Sequence, residues 1–313
     1  MPIPLPTSRA GVATVEVLRG AEATEGAPPD LLVEVPHGAD RRDDYDALRA
    51  QLKGALPLDL HAFFHVNTDE GAWAYGRATA ECVLAAAPQR SALLVRSLIP
   101  RTFADCNRPA DYTGDLAGGG LTAGLPAYVS DEEDRALLLG LHREYVRIAE
   151  AAYAAVCGEG GLALVPHTYS PRTVDIASVG DDIVDLLRQA YAPERVNGWP
   201  LRAEVDLLTR DGEGTLLCPE GLEEALLAAF AEAGFAAKRN DTYYLHPAAL
   251  GHRWSVTYPG RVFSLEVRRD LVVEEWRPFE EGRPCPRRVQ RVAEVLARAL
   301  ARVVLDAEPG VRP

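Results

Sequence analysis

The sequence predicts a three-layer α/β fold, with a central mixed, largely parallel sheet between layers of helices. Two observations predict it. Short apolar runs of strand length alternate with longer helical patterns, as is typical of α/β domains. Two of these runs end in the same tripeptide, Val-Pro-His, at residues 35–37 and 165–167. The chain has 313 residues, and we expect residues 1–313 to form a single α/β domain with an elaborated segment around residues 195–260.

Composition narrows the classes of function. Hydrophobic residues make up 47% and charged residues 25% of the chain, as in an ordinary soluble globular protein. The net charge of −13 disfavours nucleic acid and anionic membranes as partners. No apolar run is long enough to span a membrane, the first residues lack a signal-peptide pattern, and the five cysteines form no CxxC motif. We therefore expect a cytoplasmic protein with free thiols and a small-molecule partner; the oligomeric state is left open.

Strands are predicted where runs are continuously apolar or alternate between apolar and polar residues. In chain order they are Thr14–Leu18, Leu31–Val35, Ser91–Ser97, Leu162–Val165, Ala203–Leu208 and Val262–Val267. Pro36 and Pro166 lack a backbone N–H, so each is expected to mark the end of its strand. His37 and His167 would then follow the carboxyl ends of two strands, where open α/β sheets bind their ligands.

Helices are predicted from apolar periodicity and from capping residues. In chain order they are Arg41–Leu52, a helix opened near Asn67–Asp69 and ending about Ala86, a helix opened by Ser130 and Glu133 and ending about Cys157, Asp181–Tyr191, Glu220–Ala233 and Pro286–Leu305. Residues 101–126 are rich in glycine and proline and show no periodicity. They predict a long loop, and the polar residues within it favour a functional one.

His37, His167 and Asp40 are the candidate metal ligands. Two imidazoles and a carboxylate form a three-ligand set for a catalytic zinc, with one coordination position left open. Asp40 follows His37 by three residues, close enough for both side chains to turn toward one point. In the alternative, both histidines bind backbone groups and Asp40 caps the following helix. The repeated strand-end context favours the metal site.

Arg101, Asn107, Arg108 and Glu266 are candidates for roles in catalysis and binding. Arginine matches a carboxylate bidentately, and Arg101 would stabilise an oxyanion. Glu266 would serve as general base and then general acid. The alternatives are surface ion pairs of the arginines with nearby aspartates, and of Glu266 with the arginines that follow it. For the arginines, spacing alone does not decide between a functional role and a surface ion pair. For Glu266, spacing alone favours the ion pair.

The motifs PHGAD, NTDEGAW, RTFADCNR, HTYS and SLEVRR, in this order, resemble those of N-formylglutamate amidohydrolases, within the zinc carboxypeptidase-like hydrolases. The resemblance covers roughly residues 30–270. It implies a carboxypeptidase-like fold and a Zn²⁺ cofactor held by His37, Asp40 and His167. It also implies that Arg101 faces the substrate carbonyl, that Asn107 and Arg108 hold a substrate carboxylate, and that Glu266 moves the proton.

The leading hypothesis is a zinc-dependent amidohydrolase that cleaves an amide bond of an N-acyl amino acid or a related carboxylate-bearing substrate. Two alternatives remain. One keeps the site and changes the substrate, as in a carboxypeptidase or an aspartoacylase-like deacylase. The other is a carboxylate-binding module without turnover. Two departures from the family pattern bear on the substrate: His167 is followed by TYSPRT, and residues 203–258 lack a glycine-rich substrate loop.

Overall fold

A computed structural model describes residues 3–114, 121–176 and 178–305. In these ranges one sheet contains seven strands in the order β1-β3-β2-β4-β7-β5-β6. The strands are β1 Ala13–Arg19, β2 Leu31–Val35, β3 Ser91–Ser97, β4 Leu162–Tyr169, β5 Val205–Leu208, β6 Ala237–Arg239 and β7 Val262–Arg268. Strand β6 is the one strand of this sheet that the sequence did not predict.

The sheet is mixed, with a parallel centre. Strands β3, β2, β4 and β7 run parallel to one another. β1 is antiparallel to β3, and the parallel pair β5–β6 is antiparallel to β7. The carboxyl ends of the four central strands therefore lie along one edge of the sheet, as the predicted α/β fold requires.

Strand β4 continues through Pro166, where the sequence had predicted its end. On the β2 side its pairing stops at Leu164, whereas on the β7 side pairing continues to Tyr169. Beyond Leu164 the strand is thus paired on one side only. Such a strand tolerates proline as an edge strand does. Strand β2 does end at Val35, immediately before Pro36.

Helices cover both faces of the sheet. They are α1 Arg42–Arg49, α2 Leu60–Asn67, α3 Ala72–Ala86, α4 Glu132–Val156, α5 Ile183–Ala190, α6 Pro193–Val196, α7 Leu222–Glu232, α8 Leu250–Thr257 and α9 Pro286–Leu305. On one face α3, α7 and α9 pack on the sheet around one buried apolar cluster. On the other face α2, α4, α5 and α8 contribute to a second. The predicted three-layer α/β architecture is confirmed.

Two local details depart from the sequence prediction. Helix α4 is capped by Asp131 rather than by Ser130, because the Asp131 carboxylate accepts hydrogen bonds from the N–H groups of Glu133 and Asp134. Helices α2, α6 and α8 had not been predicted. Among the described residues, no helix combines the length and apolarity that a membrane span requires.

Candidate metal centre and active site

His37, Asp69 and His167 form a buried cluster at the carboxyl edge of the parallel strands. His37 follows β2 by two residues, and His167 lies in the last part of the neighbouring strand β4. Asp69 lies between α2 and α3, which brings its carboxylate over the same edge. The three side chains are only 2–4% exposed. One nitrogen or carboxylate oxygen from each side chain lies within 4.8 Å of those of the other two, and no other group of three or more His, Cys, Asp or Glu among the described residues has this metal-binding geometry.

The donor set of this cluster fits a divalent metal. One Asp69 oxygen, Oδ2, lies 3.2 Å from His37 Nδ1 and 2.8 Å from His167 Nδ1. The other ring nitrogen of His37, Nε2, lies 2.7 Å from Asp105 Oδ1. A carboxylate on the outer nitrogen is the usual partner of a metal-binding histidine, because it fixes the ring orientation. Two imidazoles and a carboxylate also match the ligand types of a catalytic zinc site.

Asp40 takes no part in this cluster. Its carboxylate lies 3.1 Å from the Arg96 guanidinium and accepts a hydrogen bond of 3.4 Å from the N–H of Gly71. These contacts turn the side chain away from His37, although only two residues separate them. The structure therefore places Asp69, rather than the predicted Asp40, beside the two histidines.

Electrostatics favour the charged forms of both carboxylates around His37. Burial alone would raise the pKa of Asp69, but His37 and His167 outweigh it and hold that pKa well below its usual value. The same balance holds for Asp105, where Arg101, Arg108 and His37 outweigh burial and lower the pKa. Burial and Arg101 lower the pKa of His37, but Asp105 and Asp69 raise it more, so the net shift is upward.

Glu266 lies beside the cluster. It stands in register with His167 on the neighbouring parallel strand β7, and paired residues of adjacent strands present their side chains on one face. Its Oε2 is buried and has no hydrogen-bond partner. Burial raises the pKa of Glu266 to about 7, against the opposing effect of His167. A carboxyl group with this pKa is suited to accept and return a proton near neutral pH.

The loop after β3 brings Arg101, Asn107 and Arg108 to the same place, with Asp105 at its centre. Arg101 Nε donates to Asp105 Oδ2 at 3.0 Å, and its Nη1 lies 3.9 Å from Asp69 Oδ1. The Asn107 side chain accepts from the N–H of Gly251 at 3.0 Å. Arg108 is 5% exposed, and its Nε has no hydrogen-bond partner. Asn107 and Arg108 both line the cavity described next.

These side chains line a cavity of about 540 Å³, which we call the main cavity; its walls include His37, His167, Glu266, Arg101, Asn107 and Arg108. Arg202 also lines it and had not been predicted. Its guanidinium lies over the rings of Tyr169 and Tyr243, and it hydrogen-bonds to Thr173, Ser170 and Tyr243. No carboxylate pairs with it in the described part of the chain. No sequence motif marks Arg202; the rings beside it belong to residues 33 and 41 positions away.

Comparisons with known proteins show the fold. No family model and no curated protein matches the chain. Among solved structures, an N-formylglutamate amidohydrolase from Ralstonia eutropha JMP134 has a TM-score of 0.54 and 18% sequence identity, over 95% of this chain and 99% of that one. A gene product from Agrobacterium tumefaciens has a TM-score of 0.52 and 19% identity, over 95% and 98% of the two chains. The chain therefore has the fold of the amidohydrolase structure that its motifs resemble.

Proposed function

We propose that the protein is a zinc-dependent amidohydrolase that cleaves an amide bond of an N-acyl amino acid or a related carboxylate-bearing substrate. The observation that carries the proposal is that the buried group His37, Asp69 and His167 lies at a cavity lined by its two histidines and by Glu266, whose carboxyl Oε2 has no hydrogen-bond partner. The shared fold and the sequence motifs support an enzyme similar to N-formylglutamate amidohydrolases.

In this proposal His37, Asp69 and His167 hold the zinc, with Asp69 in the place first given to Asp40. The bound ion would supply Lewis-acid activation of water and of the amide carbonyl. Asp105 holds the outer nitrogen of His37 and the Nε of Arg101 with its two oxygens. One carboxylate therefore sets the orientation of both a ligand and the catalytic arginine.

Glu266 moves the proton. It takes a proton from water as the hydroxyl oxygen bonds to the acyl carbon, and it delivers that proton to the amide nitrogen as the C–N bond breaks. The products are a carboxylic acid and an amine, so water supplies both added groups. Arg101, beside the cluster, stabilises the negative charge that develops on the carbonyl oxygen.

Asn107 and Arg108 hold the substrate carboxylate. The Nε of Arg108 lies 4.0 Å from Asp105 Oδ2 but makes no hydrogen bond, so it leaves a donor for an anionic ligand, and a guanidinium binds a carboxylate strongly when both are shielded from water. Arg202 and Arg269 add positive charge to the same cavity. Among the described wall residues the four arginines outnumber the two carboxylates, Asp175 and Glu266, and this excess favours a small anionic substrate over a neutral one in a chain whose net charge is −13.

The test is hydrolysis by the metal-free and the zinc-loaded protein of N-formyl and N-acetyl amino acids and of short peptides. Glu266→Gln should lower kcat by roughly 10²–10⁴-fold while zinc content stays unchanged, because the proton carrier is lost and the ligands remain. Glu150→Gln is the control, since Glu150 is an exposed acid on α4 paired with Arg253. Its kcat should match that of the unmodified protein.

Four outcomes would change the proposal. Full turnover by Glu266→Gln would show that Glu266 does not transfer the proton. Cleavage of peptides in preference to acyl amino acids would favour a carboxypeptidase, and preference for N-acetylaspartate an aspartoacylase-like deacylase. Ligand binding without hydrolysis of any compound would favour a non-catalytic carboxylate-binding module.

A further inference from the structure

A second cavity, of about 430 Å³, adjoins the main cavity; we call it the side cavity. The two share part of their walls, and the shared residues are Phe63, Asn67, Arg101, Leu121, Thr122 and Val179. None of His37, His167, Glu266, Asn107 or Arg108 lines the side cavity. It is therefore an extension of the main cavity that holds, apart from Arg101, none of the groups proposed for chemistry.

The walls of the side cavity suit an apolar ligand. Phe63, Pro126, Tyr128 and Val179 are among them, and Arg101 is the one charged wall residue in the described part of the chain. Several polar wall groups already bond within the protein. The Tyr128 hydroxyl donates to the Thr102 carbonyl, and the Asn67 side chain accepts from the Thr102 hydroxyl. The remaining polar wall side chains, Thr113, Thr122 and Ser178, carry neutral hydroxyl groups, so the cavity offers contact area to an apolar group and, besides Arg101, no charged partner to an ionic one among the described residues.

Arg101 lies where the two cavities meet, and this position indicates which half of a substrate each cavity would hold. Asn107 and Arg108 line only the main cavity, whereas Arg101 lines both. If the substrate carboxylate binds at Arg108 and the carbonyl at Arg101, the amine half of the substrate fills the main cavity. The side cavity then lies on the acyl side of the amide bond.

We propose that the side cavity binds an extended apolar acyl group, so that the preferred substrate is an N-acyl amino acid with a medium-length hydrocarbon chain. This inference rests on the proposed function and narrows its substrate class. A formyl group would leave the side cavity empty. At about 430 Å³ the side cavity alone lies within the size range of pockets that enclose drug-sized ligands.

A chain-length series tests this on the unmodified zinc-loaded protein. N-formyl, N-acetyl, N-hexanoyl and N-octanoyl derivatives of glutamate and of alanine are compared by kcat/KM. Each methylene buried in an apolar site should raise kcat/KM by up to about fourfold. We expect a rise from formyl to octanoyl on both amino acids.

A filled side cavity provides the second measurement. Ala127 lines the side cavity and is exposed, so Ala127→Trp should occupy part of the space with little effect on folding. The ratio of kcat/KM for octanoyl to that for acetyl substrates should fall by about tenfold or more. Ala127→Leu is a smaller version in case the tryptophan variant folds poorly. Ala228→Trp, on an exposed position of α7, is the control, and its ratio should be unchanged.

The results that would overturn this inference differ from those that would overturn the proposed function. Best turnover with formyl or acetyl compounds, or an equal ratio in Ala127→Trp and Ala228→Trp, overturns the acyl assignment and leaves the amidohydrolase intact. A rate that depends on the amino-acid side chain and not on the acyl chain overturns it as well. Absence of both bound zinc and hydrolysis for every compound overturns the proposed function, and this inference with it.

Discussion

Whether this edge of the sheet can bind a metal depends on single residues. Asp69 is an example, because only the fold brings its carboxylate to the two histidines. Asp40 has the shorter spacing from His37, and both this spacing and the motif resemblance favoured it. The structure gives Asp40 an arginine partner, Arg96, on a neighbouring strand, and this partner turns it away. Asp69 was visible only as a choice of N-cap for a helix, because its 32- and 98-residue separations from the two histidines hide their proximity.

His65 should make stability depend on pH. It is buried next to Phe64, and burial lowers its pKa to about 4. In the unfolded chain its pKa is about 6.5, so as pH falls through this interval the unfolded chain binds a proton before the folded one does. The stability that the neutral ring provides is thus present above about pH 6.5 and is lost toward pH 4.

The measurement is denaturant unfolding of the unmodified protein and of His65→Gln. Between about pH 7 and about pH 5, the unmodified protein should lose roughly 2 kcal/mol more unfolding free energy than the variant does. Other buried groups titrate in this range, among them Asp40 and Glu70. They contribute equally to both proteins, so their effect on the unfolding free energy cancels in the comparison. Identical pH slopes in the two proteins would contradict the assignment to His65.

At the scale of elements, helix α3 packs closely against strands β2 and β4 at one glycine, next to the proposed metal site. A Cβ added at Gly76 would lie 2.9 Å from Pro166 Cγ and 3.0 Å from Val33 Cγ1. Pro166 directly precedes His167, so a shift that relieves this overlap would move a proposed ligand. The glycine is therefore explained by packing, because a helix interior otherwise favours alanine.

Gly76→Ala should lower the unfolding free energy by about 1–3 kcal/mol, because overpacking outweighs the gain in helix propensity. The matched control is Gly140→Ala in α4, where an added Cβ meets no atom within 4 Å. That variant should be stabilised by up to about 1 kcal/mol. Thermal or denaturant unfolding measures both changes. A stabilised Gly76→Ala protein would show that α3 can move away from β2 and β4 at little cost.

The elements themselves were largely predictable, for a physical reason. Strands β2, β3 and β7 are buried on both faces, and α9 carries a regular apolar stripe, so pattern and structure agree to within a residue. Strand β6 is three residues long and mostly exposed, and α2 and α8 are each only eight residues long. Their sequence patterns are too short to be distinguished from those of loops, because tertiary contacts rather than local sequence stabilise these elements.

Across the whole molecule, the mixed sheet brings the carboxyl ends of β2, β3, β4 and β7 together, and each contributes to the site directly or through the loop that follows. The sequence indicated this edge through the two Val-Pro-His phrases and the Arg101–Arg108 loop. It could not indicate Arg202 or the side cavity, because these depend on which loops meet across the sheet. The described walls of the main cavity carry more arginines than carboxylates, whereas the molecule is strongly acidic overall.

Zinc binding by the purified protein, with Asp69→Asn and Asp40→Asn measured in parallel, tests the central claim most directly. Elemental analysis after dialysis and competitive titration with a chelator give stoichiometry and affinity. The account predicts stoichiometric zinc in the unmodified protein and in Asp40→Asn, and an affinity at least about tenfold weaker in Asp69→Asn. A protein that binds no zinc, or one that loses zinc in Asp40→Asn and keeps it in Asp69→Asn, would contradict it.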